Sequence, residues 1–344
     1  MGWFTSEGFS RKLSGAAIVT CLAALSGGAS ADAAAQYTLR LASFGSPAAP
    51  QVSVFVESFR KHLDEATHGQ IAIADFPAGS LVRETAVVSA VQSRVVDISL
   101  TTFGNWSSMV PAAGLLNSIF FHPTPAKFES VLGPDTPLFK SLNEGLQKKG
   151  VVLLSTLYNG PSVVVSRLPM MAPHDFRGKT IRAFDRQSSE IIQTLGGAPS
   201  TLAVADVYTA LQRGMVQAAF GGLQGAIGLK EYEVAKYLLW TNGVFGVNVT
   251  GYVMNESALS ALPPPLQKAV IASANAASHE TNVAIIKAFQ AYLAAMRKHG
   301  MQVTELEPGT PQYQAFVDAL GPLLRQQQAR YPAAMIQAVL NAQR

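Results

Sequence analysis

"AVVSAVQSRVVDISL", Ala86 to Leu100, is written almost twice in this chain. The second copy, "DVYTALQRGMVQAAF", runs from Asp206 to Phe220. Val87, Ser89, Ala90, Val91, Gln92 and Val96 stand opposite Val207, Thr209, Ala210, Leu211, Gln212 and Val216 without a gap. In each copy, apolar residues at helical spacing give way to a short apolar run, the pattern of a helix leading into a buried strand. Any amphipathic helix ahead of a buried strand has some of this pattern; the ungapped match is what favours a repeat. The repeat predicts two similar lobes, each holding the unit at an equivalent place.

The flanking sequence keeps the same alternation. "YTLRLASF" and "QIAIADF" read as strands around the helix "SVFVESFRKHLDEATHG", which Gly69 stops. "LFKSLNEGLQKKG" and "VVLLSTLYN" repeat helix then strand, as do "KTIRAF", "SSEIIQTLGG" and "DVYTALQRG", with Asp206 placed to cap the last of these and Gly214 to end it. Such alternation predicts an α/β fold of mixed or parallel sheets flanked by helices. From Pro263 to Gly300 helix formers run throughout, which at 1.5 Å per residue reaches some 50 Å and predicts one helix lying across both lobes. The expected division is 37–159 plus about 247–285 for one lobe and 160–246 plus about 286–344 for the other.

Ligands of open parallel sheets sit beyond the carboxyl ends of the strands. Those ends carry Thr101, Thr102 and Phe103 in the first lobe and Phe220, Gly221 and Gly222 in the second, with Phe44 after the first strand. Two such edges facing each other make a cleft.

The first 31 residues read as an address. Arg11 and Lys12 precede the apolar "LSGAAIVTCLAAL", and "ASA" follows at Ala29–Ala31, so a secretory signal peptide is expected, cleaved near Ala31 or Ala35. Its loss takes Arg11, Lys12 and Glu7, leaving 24 basic against 21 acidic residues, and also the single cysteine, Cys21. The exported chain is therefore expected in the periplasm, held together by buried apolar area without a disulfide. No later apolar run is long enough to span a membrane. Charges are few and scattered, with no basic stripe beside stackable aromatics, which excludes nucleic acid as a partner.

Signals of catalysis are scarce. G-x-S-x-G, H-E-x-x-H, the phosphate loop and G-x-G-x-x-G are all missing, and the six histidines are dispersed without metal-ligand spacing. No enzyme activity, metal or cofactor is expected. The glycine-rich "GGLQGAIG" reads as a place of close backbone approach. One residue stands out: Arg182, inside the apolar strand of "GKTIRAF" and near its cleft end. A buried guanidinium needs a negative partner. Either a carboxylate of the protein or the carboxylate of a ligand, which the planar fork matches, would serve.

"FRGKTIRAF", "LGGAPSTLAVADVYTALQRGMV", "EYEVAKYLLWTN", "ALPPPLQKAV" and "FPAGSLVRETAVVSAVQSRVVDIS" together resemble the solute-binding proteins of the tripartite ATP-independent periplasmic (TRAP) transporters. The likeness covers nearly all of residues 37–300. It implies the two-lobed periplasmic binding protein fold, closure on a small organic acid, and delivery to a small and a large membrane subunit. It also implies that Arg182 clamps the ligand carboxylate. The chain departs from the family after the "ALQRG" helix, where Val216, Gln217 and Ala218 replace V-D-G, and after "Y-N-G" at Tyr158–Gly160, where Pro161 and Ser162 follow instead of an arginine. With Asn159, Ser162, Phe103, Phe184 and Phe220 added to Arg182 at the expected mouth, the pocket is expected to hold one carboxylate with an apolar or aromatic body. An exported α/β enzyme anchoring a carboxylate, or a ligand-capturing subunit of a membrane sensor, are the competing readings.

Overall fold

The structure, a computed structural model, describes residues 35–343 other than Asn117; the expected signal peptide, with Cys21, lies outside them. Among the described residues, twelve strands form two sheets. Strands β1 (Tyr37–Ala42), β2 (Ile71–Phe76), β3 (Ile98–Thr102), β4 (Val151–Leu153) and β5 (Leu157–Pro161) belong to the first. Strands β6 (Val163–Ser166), β7 (Thr180–Ala183), β8 (Ala198–Thr201), β9 (Ala218–Gly221) and β10 (Tyr237–Trp240) belong to the second. The chain then returns to the first sheet with β11 (Val247–Asn255) and ends in the second with β12 (Gln302–Glu305).

The strand orders are β2-β1-β3-β11-β4, with β5 also on β11, and β8-β7-β9-β6-β10-β12. They match in kind. The strand of each repeat, β3 or β9, lies between a parallel neighbour, β1 or β7, and an antiparallel one, β11 or β6. Both sheets are thus mixed, since the chain fills each antiparallel place with a strand that has just crossed from the other sheet.

The two repeats agree bond for bond. A 3-10 turn (Glu84–Ala86 or Val204–Asp206) leads into the helix Val87–Gln92 or Val207–Arg213. Beyond the helix, the amides of Val95 and Val96 donate to Ala90 O at 2.9 and 3.4 Å, and those of Met215 and Val216 donate to Ala210 O at the same distances. The turn needs a left-handed residue: Gly214 takes it at φ 71° and Arg94 at φ 58°. Glycine adopts that conformation freely, whereas arginine has to be held there. Arg94 is held by its Nε, 3.2 Å from the buried Asp97 carboxylate, which also binds Arg40 at 3.0 Å.

Two local expectations are corrected. Asp206 makes no side-chain cap to its helix, because its carboxylate faces Arg83. "VVLLSTLYN" is two strands and not one. The amides of Leu154 and Ser155 both donate to Tyr252 O, at 2.9 and 3.1 Å, and the chain kinks there. Gly251 permits that kink, since a Cβ on it would lie 2.1 Å from Ser155 O and 2.8 Å from the Phe103 ring. Gly251→Ala is accordingly expected to lower stability by about 1–3 kcal/mol through overpacking, read as a lower denaturant midpoint with unchanged slope.

The helix Pro264–Lys298 is unbroken over 35 residues. Its first half, with Val270, Ala274 and Ala277, buries against the core of Leu41, Phe55 and Ile98 under the first sheet. Its second half, with Ile285, Phe289, Leu293 and Met296, joins a cluster containing Val163, Val165 and Trp240 of the second sheet. Phe289 sets its edge on Tyr158 of β5 at 5.8 Å and on Trp240 of β10 at 6.0 Å, touching both sheets at once. Gly160 lets the ring in: with φ 83° and no Cβ, it leaves the space that Phe289 Cζ fills. No helix among the described residues is long and apolar enough to cross a membrane.

Candidate functional site

A small cavity of about 70 Å³ lies between the two sheets. From the first sheet's side come Phe44, Gly45 and Ser46 after β1, Thr102 at the end of β3, Asn159 of β5, and Asn248 and Thr250 of β11. From the second come Arg182 and Phe184 at the end of β7, Gly221 and Gly222 at the end of β9, and Gln224 and Glu231 beyond. The carboxyl ends of β1, β3, β7 and β9 thus converge on it, where open sheets place their ligands.

Arg182 is 3 % exposed and held from three directions. Its Nε donates to Leu202 O at 2.9 Å, Nη1 to Phe220 O at 2.8 Å and Nη2 to the Glu84 carboxylate at 3.1 Å. The Phe184 ring lies 5.4 Å from the guanidinium carbon, a cation–π contact. A guanidinium has five N–H donors. Three are used here, so one on each Nη remains as a donor for a further carboxylate. The internal partner and the ligand partner foreseen for this arginine are therefore compatible.

Glu84 reaches across the cleft. It opens the first repeat's 3-10 turn, yet its Oε2 accepts from Val204 N, the first residue of the second repeat's matching turn, at 3.0 Å. Beside it, Arg83 pairs with Asp206 of that same turn. Burial pushes the Glu84 carboxyl above its usual range, a shift that the adjacent Arg182 partly offsets. Glu231, 5 % exposed, is pushed up to about 7 by burial, again against the pull of Arg182. Around them stand buried polar atoms without a hydrogen-bond partner: Gln51 Oε1, Thr102 Oγ1, Asn159 Oδ1, and both Oε1 and Nε2 of Gln224. Native proteins pair nearly all such atoms. Those left open at one cavity are what a polar ligand would complete.

Of the residues expected at the site, Arg182, Thr102, Asn159, Phe184, Gly221 and Phe44 line the cavity. Phe103, Phe220 and Ser162 do not. Side chains alternate across a strand, so Phe220, between the cavity-lining Ala219 and Gly221, points to the other face and stacks on Phe245 at 5.2 Å. Phe103 is fully buried in the core against Gly251. Ser162 is buried at the crossing between sheets, its carbonyl accepting from Thr241 Oγ1 at 2.6 Å. The aromatic lining expected for the pocket is thus reduced to Phe44 and Phe184. Sequence reasoning missed Glu84, Gln224 and Glu231. The glycine-rich "GGLQGAIG" pointed toward Gln224: Gly221, Gly222 and Gly225 bring the backbone to the cavity's edge, and a Cβ on Gly221 would stand 3.9 Å from Arg182 Nη1.

Comparison with known proteins supplies the context. The family described as bacterial extracellular solute-binding protein, family 7, matches residues 41–330. The chain is 26 % identical over 275 residues to the 2,3-diketo-L-gulonate-binding periplasmic protein YiaO of Escherichia coli, covering 79 % of this chain and 81 % of that one. It is 27 % identical over 272 residues to the sialic acid-binding periplasmic protein SiaP of Vibrio cholerae, covering 77 % and 80 %. Among solved structures, a TRAP periplasmic solute-binding protein of Shewanella oneidensis with bound succinate superposes with TM-score 0.82 at 16 % identity, covering 90 % of this chain and 99 % of that one. The pyroglutamic acid receptor DctP7 of Bordetella pertussis superposes with TM-score 0.79 at 19 % identity, covering 89 % and 99 %. These two likenesses establish the two-lobed fold.

Proposed function

This chain belongs to family 7 of the bacterial extracellular solute-binding proteins, and from that premise we propose that it is a TRAP transporter's periplasmic receptor for a small organic acid. It captures the acid between the two sheets without converting it and hands it to the small and large membrane subunits. One observation carries the reading: a buried arginine, fixed by two carbonyls and Glu84 and with one N–H on each Nη still uncommitted, lines a cavity that holds several unpartnered polar atoms. The named ligands of the similar proteins, among them succinate and pyroglutamic acid, are themselves small acids. A cavity of about 70 Å³ has room for roughly five waters at ~10–15 Å³ each, which suits an acid of comparable size. The lining mixes unpartnered polar atoms with the apolar Val163, Val165, Ala219 and Leu229, which supports polar groups on the ligand beside the apolar body that the sequence suggested.

The reading is tested by thermal shift against a library of small carboxylic acids. A ligand at 100 times its dissociation constant stabilises by about 2.7 kcal/mol, so the physiological acid should stand out. No stabilisation by any acid would contradict the proposal.

Capture also entails closure of one lobe, 37–159 plus about 247–285, on the other. The chain passes between the sheets at Ser162, through Thr241–Gly246 and along the 35-residue helix, few enough strands to bend as a hinge. The bonds from Glu84 and Arg83 to the second repeat's turn belong to the closed form. X-ray scattering is expected to show a smaller radius of gyration at saturating acid. Identical profiles with and without it would argue against closure.

A further inference from the structure

The charges and donors lining the cavity do not balance for a simple anion. Its charged side chains are Arg182, Glu84 and Glu231: one cation against two carboxyls. Glu84 already holds Arg182, which leaves Glu231 facing the cavity without an ion-pair partner. The unpartnered neutral atoms lean the same way. The amide oxygens of Gln51, Asn159 and Gln224 stand open, against one amide nitrogen, that of Gln224. The Asn159 oxygen is turned inward because its nitrogen donates to Asn248 Oδ1 at 3.2 Å and Thr250 Oγ1 at 2.7 Å. A plain carboxylate brings only acceptors and a further negative charge, so these oxygens would stay unanswered, and unsatisfied buried polar atoms are costly.

We propose that the captured acid is a zwitterion, a carboxylic acid that also bears a protonated amine, its carboxylate on the two free N–H groups of Arg182 and its ammonium on Glu231 and the neighbouring amide oxygens. The assignment rests on the reading of Arg182 as the carboxylate anchor and adds the cationic end. An ammonium supplies three N–H donors and no acceptor, the complement of this lining. The zwitterion also adds no net charge to the cavity: with Arg182, Glu84 and Glu231 it makes two positive groups against three negative, where a plain carboxylate would leave one against three. Glu231 becomes the residue that selects an amino acid over its deaminated counterpart. Burial holds the Glu231 carboxyl up to about 7 without a ligand; a cation beside it would favour the ionised form.

The experiment is a calorimetric comparison of matched pairs. The wild-type protein is titrated with the common L-amino acids, 4-aminobutyrate and 5-aminovalerate, and with the same molecules carrying hydroxyl or hydrogen in place of the amine. The best-bound amino acid is expected to bind at least about tenfold more tightly than its deaminated partners, in line with losing one member of a buried charge pair. Glu231→Gln, which keeps shape and removes charge, should erase that preference while leaving the deaminated acids bound as well as before or better. A hydroxy or unsubstituted acid binding more tightly than its amino partner would overturn the zwitterion, and so would an unchanged preference in Glu231→Gln. In either case the anchor reading would stand if Arg182→Lys still loses the acid. No binding in any series would overturn the anchor reading as well.

Discussion

Arg182→Ala is expected to weaken capture of the organic acid by about 2–5 kcal/mol, the cost of truncating one partner of a buried charged contact. That is roughly 30-fold to several-thousand-fold in Kd. The effect is large because the guanidinium is already oriented within its own lobe by Leu202 O and Phe220 O, so the acid pays little to order it. Arg182→Lys should also lose much of the affinity, since a point charge cannot offer two parallel N–H groups. The alanine variant has a second consequence. In the closed form it strands the buried Glu84 carboxylate, and breaking such a pair costs that form about 3–5 kcal/mol unless the carboxyl takes up a proton. The double variant Arg182→Ala/Glu84→Gln is therefore expected to regain stability but not binding. Calorimetry and denaturation on the same three proteins separate the two roles; an unchanged Kd in Arg182→Ala would refute the anchor.

Glu231→Gln is expected to stabilise the ligand-free protein at pH 8 and to do almost nothing near pH 4.5. Burial pushes the Glu231 carboxyl up to about 7 in the folded protein, from about 4.5 in the unfolded chain. Below about 4.5 it is protonated in both folded and unfolded chains, and it resembles the glutamine that replaces it. Between those values the folded protein binds more protons than the unfolded chain, so stability falls as pH rises, and above 7 the loss is complete. At 1.36 kcal/mol per unit the full difference is about 3 kcal/mol, or several degrees in melting temperature. Glu84 is shifted in the same direction, so the variant keeps some of this slope, and the difference between the two proteins isolates Glu231. Parallel melting curves from pH 4.5 to 8, offset by a constant, would contradict it.

The part of the fold that local pattern encodes was legible. Both repeats read as helix then strand because their apolar spacing serves packing within a single lobe, and the left-handed turn after each helix was visible where glycine fills it. The same turn at Arg94 was hidden, since its support comes from Asp97 and not from its own backbone. The cavity's position followed from the strand ends, and Arg182 followed from a charge set among apolar neighbours. Glu84 and Glu231 were not legible for a physical reason. Each sits in an ordinary polar stretch, "VRETA" or "LKEYE", and is buried by tertiary packing, in the case of Glu84 against Arg182 and Val204 across the cleft. Phe103 and Phe220 misled in the converse way: nearness to a strand end fixes position along the sheet, whereas the period of two fixes the face.

The most direct measurement is a crystal structure of the protein with an organic acid that raises its melting temperature. The acid's carboxylate should lie between the two sheets, both oxygens within hydrogen-bond distance of Nη1 and Nη2 of Arg182, with Glu84 still on Nη2. An acid bound elsewhere, or one whose carboxylate points away from Arg182, would contradict the account.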